Sequence, residues 1–311
     1  MASSRAFQLV ARLANSTAVL MFGLIVVGSV VRTTGSGLSC PDWPLCQGRL
    51  IPPFQFNVFM EWLHRLIALF VGLLLFATAG TIVRSRETRG PLGGMAALAI
   101  ALYLSQALLG ALTVWKLLDP SVVSGHLAVG LLLFSTLLTI NLLAREHARS
   151  GGAKERAPRP AGLLPLFAAA TALVYAQAIL GGMVSTNHAS LACPDWPRCN
   201  GEWFPAMEGL VRLQMLHRLG AYVLTGMLVL VAVASGRVPD PAVRLAGLMV
   251  PALAVMQIAL GVANVLLGIP VWVSALHLAT ATLLLGTMLF ATFRLAAMPA
   301  ASRAWTEAAA R

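Results

Sequence analysis

Long apolar stretches separated by short polar segments run through this chain of 311 residues. Eight of the stretches are long enough to cross a membrane, because a helical span needs about 20 apolar residues. We predict helices over 13–32, 62–83, 93–115, 121–144, 161–184, 213–235, 243–268 and 271–296. The pattern therefore predicts an all-α membrane protein with eight transmembrane helices. The first stretch follows Arg5 and Arg12 without a small-residue cleavage pattern after it, so we interpret it as an uncleaved helix.

The composition agrees with a membrane location and bears on the orientation. Charged residues make up only 11% of the chain, against roughly 25% in soluble domains. The net charge of +11 would also suit a nucleic-acid-binding protein. If the N-terminus is cytoplasmic, however, fifteen of the 22 basic residues fall in cytoplasmic segments, and six acids nearly balance the seven outside. We therefore predict a multi-pass protein of the inner or plasma membrane, with both termini cytoplasmic and no nucleic-acid role.

An internal repeat divides the chain into two halves. The segment LSCPDWPLC at 38–46 returns as LACPDWPRC at 191–199, and HRL at 64–66 returns at 217–219, both at an offset of 153. Two further matches, 106–110 with 257–261 and 126–128 with 277–279, have an offset of 151. We predict an N-terminal half over 1–144, a cytoplasmic linker over 145–160 and a C-terminal half over 161–311. Because each half has four helices, the repeat is parallel and gives two pseudo-symmetric four-helix bundles.

Four of the six histidines lie in this repeat and are candidate metal ligands: His64, His126, His217 and His277. Each is near the outer start of an even-numbered predicted helix, so the four share one depth. A single histidine in a span is more often a polar residue satisfied by a neighbouring helix, but repeated pairs favour ligands. One histidine from each of two helices in an apolar bundle favours bis-imidazole haem ligation over zinc or copper. We expect one haem pocket in each half.

Two charged positions beside the histidines add to this prediction. Arg65 and Arg218 follow ligand candidates, and they can either pair with haem propionates or extend to the membrane surface. Glu61 lies one helical turn before His64, whereas the second half has Gln214 at the equivalent place. A group that accepts protons suits a pocket in which a C–H bond is broken. We therefore assign the N-terminal pocket to a substrate and the C-terminal pocket to a permanent electron-transfer haem; the alternative is that Glu61 is an interfacial carboxylate beside Arg65.

The four cysteines fall in two external loops of the predicted topology, Cys40 with Cys46 and Cys193 with Cys199. The oxidising side of the membrane permits disulfides, and we prefer one within each loop, although three connectivities are possible. A zinc site is disfavoured because five residues separate the members of each pair. Thiol–disulfide exchange with an external reductase is an open alternative for the first pair.

Together these features resemble the haem A synthase family. The resemblance rests on eight spans in two halves, the Glu-x-x-His-Arg segment at 61–65, single histidines opening helices four, six and eight, and paired cysteines in the first and third external loops. It implies oxidation of the methyl at ring position 8 of haem O to a formyl group by successive hydroxylations. It also implies that His217 and His277 hold a haem b cofactor, that His64 and His126 belong to the substrate site, and that a haem O synthase is a partner.

A mechanism and two competing functions follow from this interpretation. Glu61 is the expected base after oxidation of the macrocycle, with water as the oxygen source and electrons leaving through the C-terminal haem to a quinone or another acceptor. A haem-handling or haem-transfer protein, and a di-haem quinol-linked electron carrier, would offer similar histidine pairs. The contrast between Glu61 and Gln214 favours catalysis, because a carrier has little need of an acid in one pocket only.

Overall fold

The computed structural model describes residues 2–149 and 157–300, and the chain folds into eight long helices there. Their bounds are α1 Ala2–Thr33, α2 Phe56–Arg84, α3 Arg86–Trp115, α4 Pro120–Arg149, α5 Leu163–Thr186, α6 Gly209–Ser235, α7 Pro241–Leu266 and α8 Val271–Ala296. Two short 3-10 helices, Ser36–Leu38 and Ala189–Leu191, lie in the loops after α1 and α5. All eight long helices are long and apolar enough to cross a membrane. The predicted all-α membrane fold with eight spans is therefore confirmed.

Several helices extend further than the apolar stretches that predicted them. α1 begins at Ala2 rather than at residue 13, and α4 continues to Arg149. An apolar stretch marks only the part of a helix that faces lipid, whereas backbone hydrogen bonding continues into the polar interface. Local signals set some helix ends. Ser85 is extended and separates α2 from α3, and Asp240 caps the start of α7 by accepting a hydrogen bond from the Ala242 N–H.

Each half forms a ring of four helices. α1 packs against α2 and α4, and α3 packs between α2 and α4; in the second half α5 packs against α6 and α8, and α7 between α6 and α8. Across the halves α1 contacts α8, α5 contacts α4, and α4 contacts α8. Exchanging α1 with α5 and α4 with α8 reproduces this set of contacts, as a twofold relation between the halves requires. Helices α1, α4 and α8 are the most buried and form the centre of the molecule.

The segment between the halves is partly anchored. Residues 150–156 of the predicted linker lie outside the described residues, as do the basic residues 303 and 311 of the topology prediction. Beyond that gap, Arg159 is tied to the end of α8. Its backbone N–H donates to the Pro299 carbonyl (2.8 Å), and its side chain donates to the carbonyls of Ala296 (3.2 Å) and Met298 (3.3 Å). The end of the linker is thus held against the C-terminal half.

Candidate functional site

The four repeated histidines lie at equivalent heights in the bundle. His64 and His217 are each the ninth residue of their helix, and His126 and His277 are each the seventh. All four are therefore near the end of the bundle that carries the two cysteine loops, residues 34–55 and 187–208. They line one cavity of about 1270 Å³. The structure thus brings the predicted ligands together at one depth.

Each histidine ring packs against a glycine on the preceding helix. A methyl group built on the glycine would lie 3.1 Å from Cε1 of His64 at Gly28, 3.5 Å from Cε1 of His126 at Gly110, 2.9 Å from Cε1 of His217 at Gly181 and 3.1 Å from Cε1 of His277 at Gly261. A methyl group at Gly28, Gly181 or Gly261 would press on the ring beside it, whereas at Gly110 it would make an ordinary contact. The four glycines therefore form cradles in which the imidazoles pack against the preceding helix.

The rings retain nitrogen atoms that the protein does not satisfy. Nδ1 of His64, His126 and His277 is buried and has no hydrogen-bond partner within the described residues. A buried polar atom without a partner costs about 1–3 kcal/mol, so such atoms generally indicate a ligand or a function. His64 and His126 lie on α2 and α4, and His217 and His277 on α6 and α8, so each half holds one pair. Two imidazoles from two helices of an apolar bundle fit the axial ligation of a haem.

In the second half, glutamine side chains contact both histidines, and the first half has no equivalent contacts among the described residues. The Gln177 side-chain nitrogen donates to the His217 backbone carbonyl (2.7 Å) and lies 3.0 Å from Nδ1 of the same residue. Leu24 occupies the equivalent position in the first half. Gln257 likewise contacts the His277 ring at 3.2 Å, whereas no side chain hydrogen-bonds to the rings of His64 and His126 in the part of the chain that the structure describes. Hydrogen bonds of this kind orient metal-binding histidines.

The cavity extends across both halves, and one haem pocket within each half of this space stays a prediction. It is lined by residues of all eight helices, and its volume exceeds the roughly 300–1,000 Å³ that a single small-molecule pocket usually has. The halves meet where Leu127 of α4 packs on Gly182 of α5, so closely that a methyl group on Gly182 would lie 2.6 Å from Leu127. Because Leu127 follows His126 and Gly182 follows Gly181, this contact lies next to residues of both histidine sites.

The cysteine loops close one end of this cavity in the same way in both halves. Cys40 pairs with Cys46 and Cys193 with Cys199 at disulfide distance, with Cα separations of 4.6 and 4.5 Å. This is the pairing preferred from the sequence. Among the described residues no group of three or more histidine, cysteine or acidic side chains comes together. The two disulfides link residues within each loop.

Each loop turns through a pair of residues with positive φ. Gln47 (54°) and Gly48 (70°) follow the first pair of cysteines, and Asn200 (53°) and Gly201 (80°) follow the second. Two consecutive positive φ values are typical of a type I′ turn. Asp42 accepts hydrogen bonds from the backbone of Gln47 (2.6 Å) and Gly48 (2.7 Å).

These contacts set the charge of the loops. The N–H of Gly48, with that of Gln47, holds the pKa of Asp42 below its ordinary value. Asp195 accepts equivalent bonds from Asn200 (2.7 Å) and Gly201 (2.9 Å), and the N–H of Gly201 lowers its pKa in the same way. Both aspartates are therefore anionic at neutral pH and fix the turns through charge-assisted hydrogen bonds.

Arg65 and Arg218 dock the loops on α2 and α6. The Arg65 guanidinium donates to the carbonyls of Cys40 (2.8 Å), Asp42 (2.6 Å) and Leu45 (2.5 Å). Arg218 donates to the equivalent carbonyls of Cys193 (2.7 Å), Asp195 (3.0 Å) and Arg198 (2.9 Å). These bonds give both arginines a role in docking the loops, and their contact with haem propionates stays a prediction. The sequence carried a signal for the docking role, because each arginine recurs at a fixed distance from its cysteine loop.

Glu61 and Gln214 are both buried, but they differ in their contacts. Glu61 is 5% exposed; one carboxylate oxygen accepts from Arg65 (2.6 Å) and the other from the Cys40 N–H (2.8 Å). Gln214 is 4% exposed, and its side-chain oxygen has no partner within the described residues. Since Arg218 makes the three loop contacts without a carboxylate, loop docking does not require Glu61.

Sequence reasoning had not identified several residues that shape the site. The cradles at Gly28 and Gly181, Gln177 and the cavity-lining Arg32 are evident only once the helices are packed. Gly110, Gln257 and Gly261 did lie inside a repeated segment, which was a signal. Gln177 and Arg32 carried none, because their contacts are with other helices.

Comparisons with known proteins cover nearly the whole chain. A sequence model of the COX15-CtaA family, described as cytochrome oxidase assembly protein, matches residues 11–57 and 53–289. A heme A synthase of Shewanella oneidensis is 29% identical over 86% of this chain and 92% of its own length. Heme A synthases of Rhizorhabdus wittichii (31% identical, 88% of this chain, 90% of the relative) and Methylobacterium radiotolerans (31%, 87% and 86%) are similarly related.

Proposed function

The chain belongs to the COX15-CtaA family of cytochrome oxidase assembly proteins, and from this premise we propose that it is a haem A synthase, an oxidoreductase that converts the methyl at ring position 8 of haem O to a formyl group. The observation that carries the proposal is one cavity with two histidine pairs, flanked by a carboxylate in one half and by an amide in the other. The relatives named heme A synthase support it.

The differences between the halves support different roles for the two histidine pairs. His64 and His126 would hold haem O as substrate, since their rings have no restraining glutamine contact and lie in the half with Glu61. His217 and His277 would hold a permanent haem b, since Gln177 and Gln257 contact their rings. A haem b ligated by this second pair supplies one-electron redox chemistry. All four histidines line one cavity, so the two haems would be close to each other.

Glu61 would accept the protons that the ring methyl loses. It is buried one helical turn before His64, its two oxygens accept hydrogen bonds from Arg65 and the Cys40 N–H, and a carboxylate is a group that can act as a general base. Conversion of a methyl to a formyl group with water as the oxygen source releases four protons and four electrons. It passes through an alcohol and a hydrated aldehyde that then loses water. The electrons pass to a quinone or another acceptor in the membrane.

Exchanging the two flanking residues tests this role. We expect Glu61→Gln to lower turnover of haem O by about 10²- to 10⁴-fold, the usual contribution of a positioned base. The matched control is Gln214→Glu, which should retain turnover. Haem extraction and mass determination would follow substrate and product, and the haem b content would report an intact fold. Unchanged turnover of Glu61→Gln would remove Glu61 from the mechanism.

Isotope labelling tests the source of the oxygen. In water enriched in oxygen-18 we expect the label in the hydroxylated product, with early sampling because formyl groups exchange oxygen with water. Product oxygen derived only from dioxygen would refute water addition, while leaving the assignment of the histidine pairs intact.

The proposed setting follows from the topology and the family. The protein would lie in the inner or plasma membrane with both termini cytoplasmic, so that the cysteine loops and the histidine sites are near the outer surface. A haem O synthase in the same membrane would supply the substrate.

A further inference from the structure

The cavity carries a marked excess of positive charge. Apart from histidines, its charged lining residues are four arginines and one acid: Arg32, Arg49, Arg65, Arg218 and Glu61. A cavity with this balance is suited to a ligand that brings its own acidic groups. A bound acid would need an arginine whose N–H donors are not already used by the protein.

Three of the four arginines are already engaged or peripheral. Arg65 and Arg218 donate to loop carbonyls, and Arg65 also neutralises Glu61. Arg49 is exposed at the turn of the first cysteine loop. Arg32 differs from all of them, because it lies in the last turn of α1 inside the bundle.

Among the residues that the structure describes, Arg32 has a single side-chain hydrogen bond and no acidic partner. Its side chain donates to the Ser185 carbonyl on α5 at 3.2 Å, and it forms no ion pair within residues 2–149 and 157–300. A guanidinium group has five N–H donors. A partly buried cation without a counter-ion is costly. The remaining donors of Arg32 are therefore available to a carboxylate.

The position of Arg32 points to the substrate half. Gly28, the cradle of His64, is one helical turn away on the same face of α1, because residues four apart are neighbours on a helix surface. The repeat pairs Arg32 with Ser185 at the offset of 153, so the second half has an uncharged residue there. Because these equivalent residues touch, Arg32 lies at the junction of the halves, above His64.

We infer that Arg32 binds a carboxylate of the tetrapyrrole substrate, that is, a propionate side chain, and so positions the substrate in the N-terminal half. The inference rests on the proposed function. It assigns Arg32 the propionate contact that the sequence had suggested for Arg65. The ion pair would be made inside the cavity and would be lost with a ligand that has no free acid.

A comparison of two probes tests this assignment. The full-length protein, purified in detergent from a host that makes no haem O, is titrated with iron protoporphyrin IX and with its dimethyl ester, in which both carboxylates are blocked. We expect Arg32→Gln to weaken binding of the diacid about 10- to 100-fold, as expected for loss of one or two charge-assisted hydrogen bonds. Binding of the ester should change less than about twofold. Arg32→Lys should restore part of the diacid affinity, and Arg49→Gln is the matched control.

The outcomes separate this inference from the function on which it rests. Equal weakening of diacid and ester by Arg32→Gln, or no weakening of either, would overturn the role of Arg32 while the protein still binds haem. In a His64→Ala background, Arg32→Gln should no longer change the affinity for the diacid; an effect that persists there would contradict placement in the N-terminal half. A wild-type chain that binds neither probe would overturn the proposed function together with this inference.

Discussion

Four glycines set how closely the candidate ligand histidines approach the neighbouring helices. The tightest cradle is Gly181, where a methyl group would lie 2.9 Å from the His217 ring, closer than ordinary contacts between side chains allow. The ring cannot simply rotate away, because Gln177 contacts it at Nδ1. Single methyl groups at these sites are therefore sensitive probes of histidine position.

We expect Gly181→Ala to move His217 and to lower the affinity for haem b by roughly tenfold or more, the size of effect seen when the surroundings of metal ligands are disturbed. Gly226→Ala in α6 is the matched control, because a methyl group there meets nothing within 4 Å. Absorbance spectra and haem content of the purified variants would measure the effect. Equal haem b content in both variants would contradict the cradle role.

The cysteine loops are the elements in which the two halves agree most closely. Each joins two cysteines, turns through two residues of positive φ and is docked by an arginine of the next helix. Each turn also depends on an aspartate whose pKa is lowered by backbone N–H donors. The loops are thus stabilised by anionic aspartates.

The lowered pKa of the two aspartates determines how the stability of the loops depends on pH. The contribution of Asp42 and Asp195 is present above the pKa of the unfolded chain, 3.8, and is lost as the pH falls through the lower pKa of the folded loops. We therefore expect loop structure to be insensitive to these groups between about pH 5 and 8. Below about pH 4 it should loosen, as measured by tryptophan fluorescence, since Trp43 and Trp196 lie in the loops.

Asp195→Asn supplies the control for the acid response. The variant should lose the part of the fluorescence change that comes from the second loop, and Asp240→Asn, at the start of α7, should not. An acid transition that is identical in the wild type and in Asp195→Asn would show that the turn does not depend on this carboxylate.

For the molecule as a whole, the sequence predicted the helices and their repetition but not how the halves join. Apolar length and the 151–153 offsets are local or internal signals, and they located eight spans and four histidines. The halves meet at contacts such as that of Leu127 with Gly182, and no periodic pattern encodes which helices of two similar bundles meet. The contacts of Arg32 and Gln177 were also not predictable, because their partners lie on other helices.

The loop contacts of Arg65 and Arg218 were likewise not predicted from the sequence. Their sequence neighbours suggested a haem contact, whereas their hydrogen bonds go to loops about 20 to 25 residues earlier in the chain. The difference between Glu61 and Gln214 was visible in the sequence because it breaks the repeat. Only the structure shows that Arg218 docks its loop without a carboxylate.

The central claim is that one half of a shared cavity modifies a haem that the other half does not. The most direct test is extraction of the haems from the purified full-length protein, expressed together with a haem O synthase, followed by mass determination and a pyridine haemochrome spectrum. We expect haem b together with haem O, its hydroxylated form or haem A. Two equivalents of unmodified haem b per chain, with haem O left unconverted in the membrane, would contradict it.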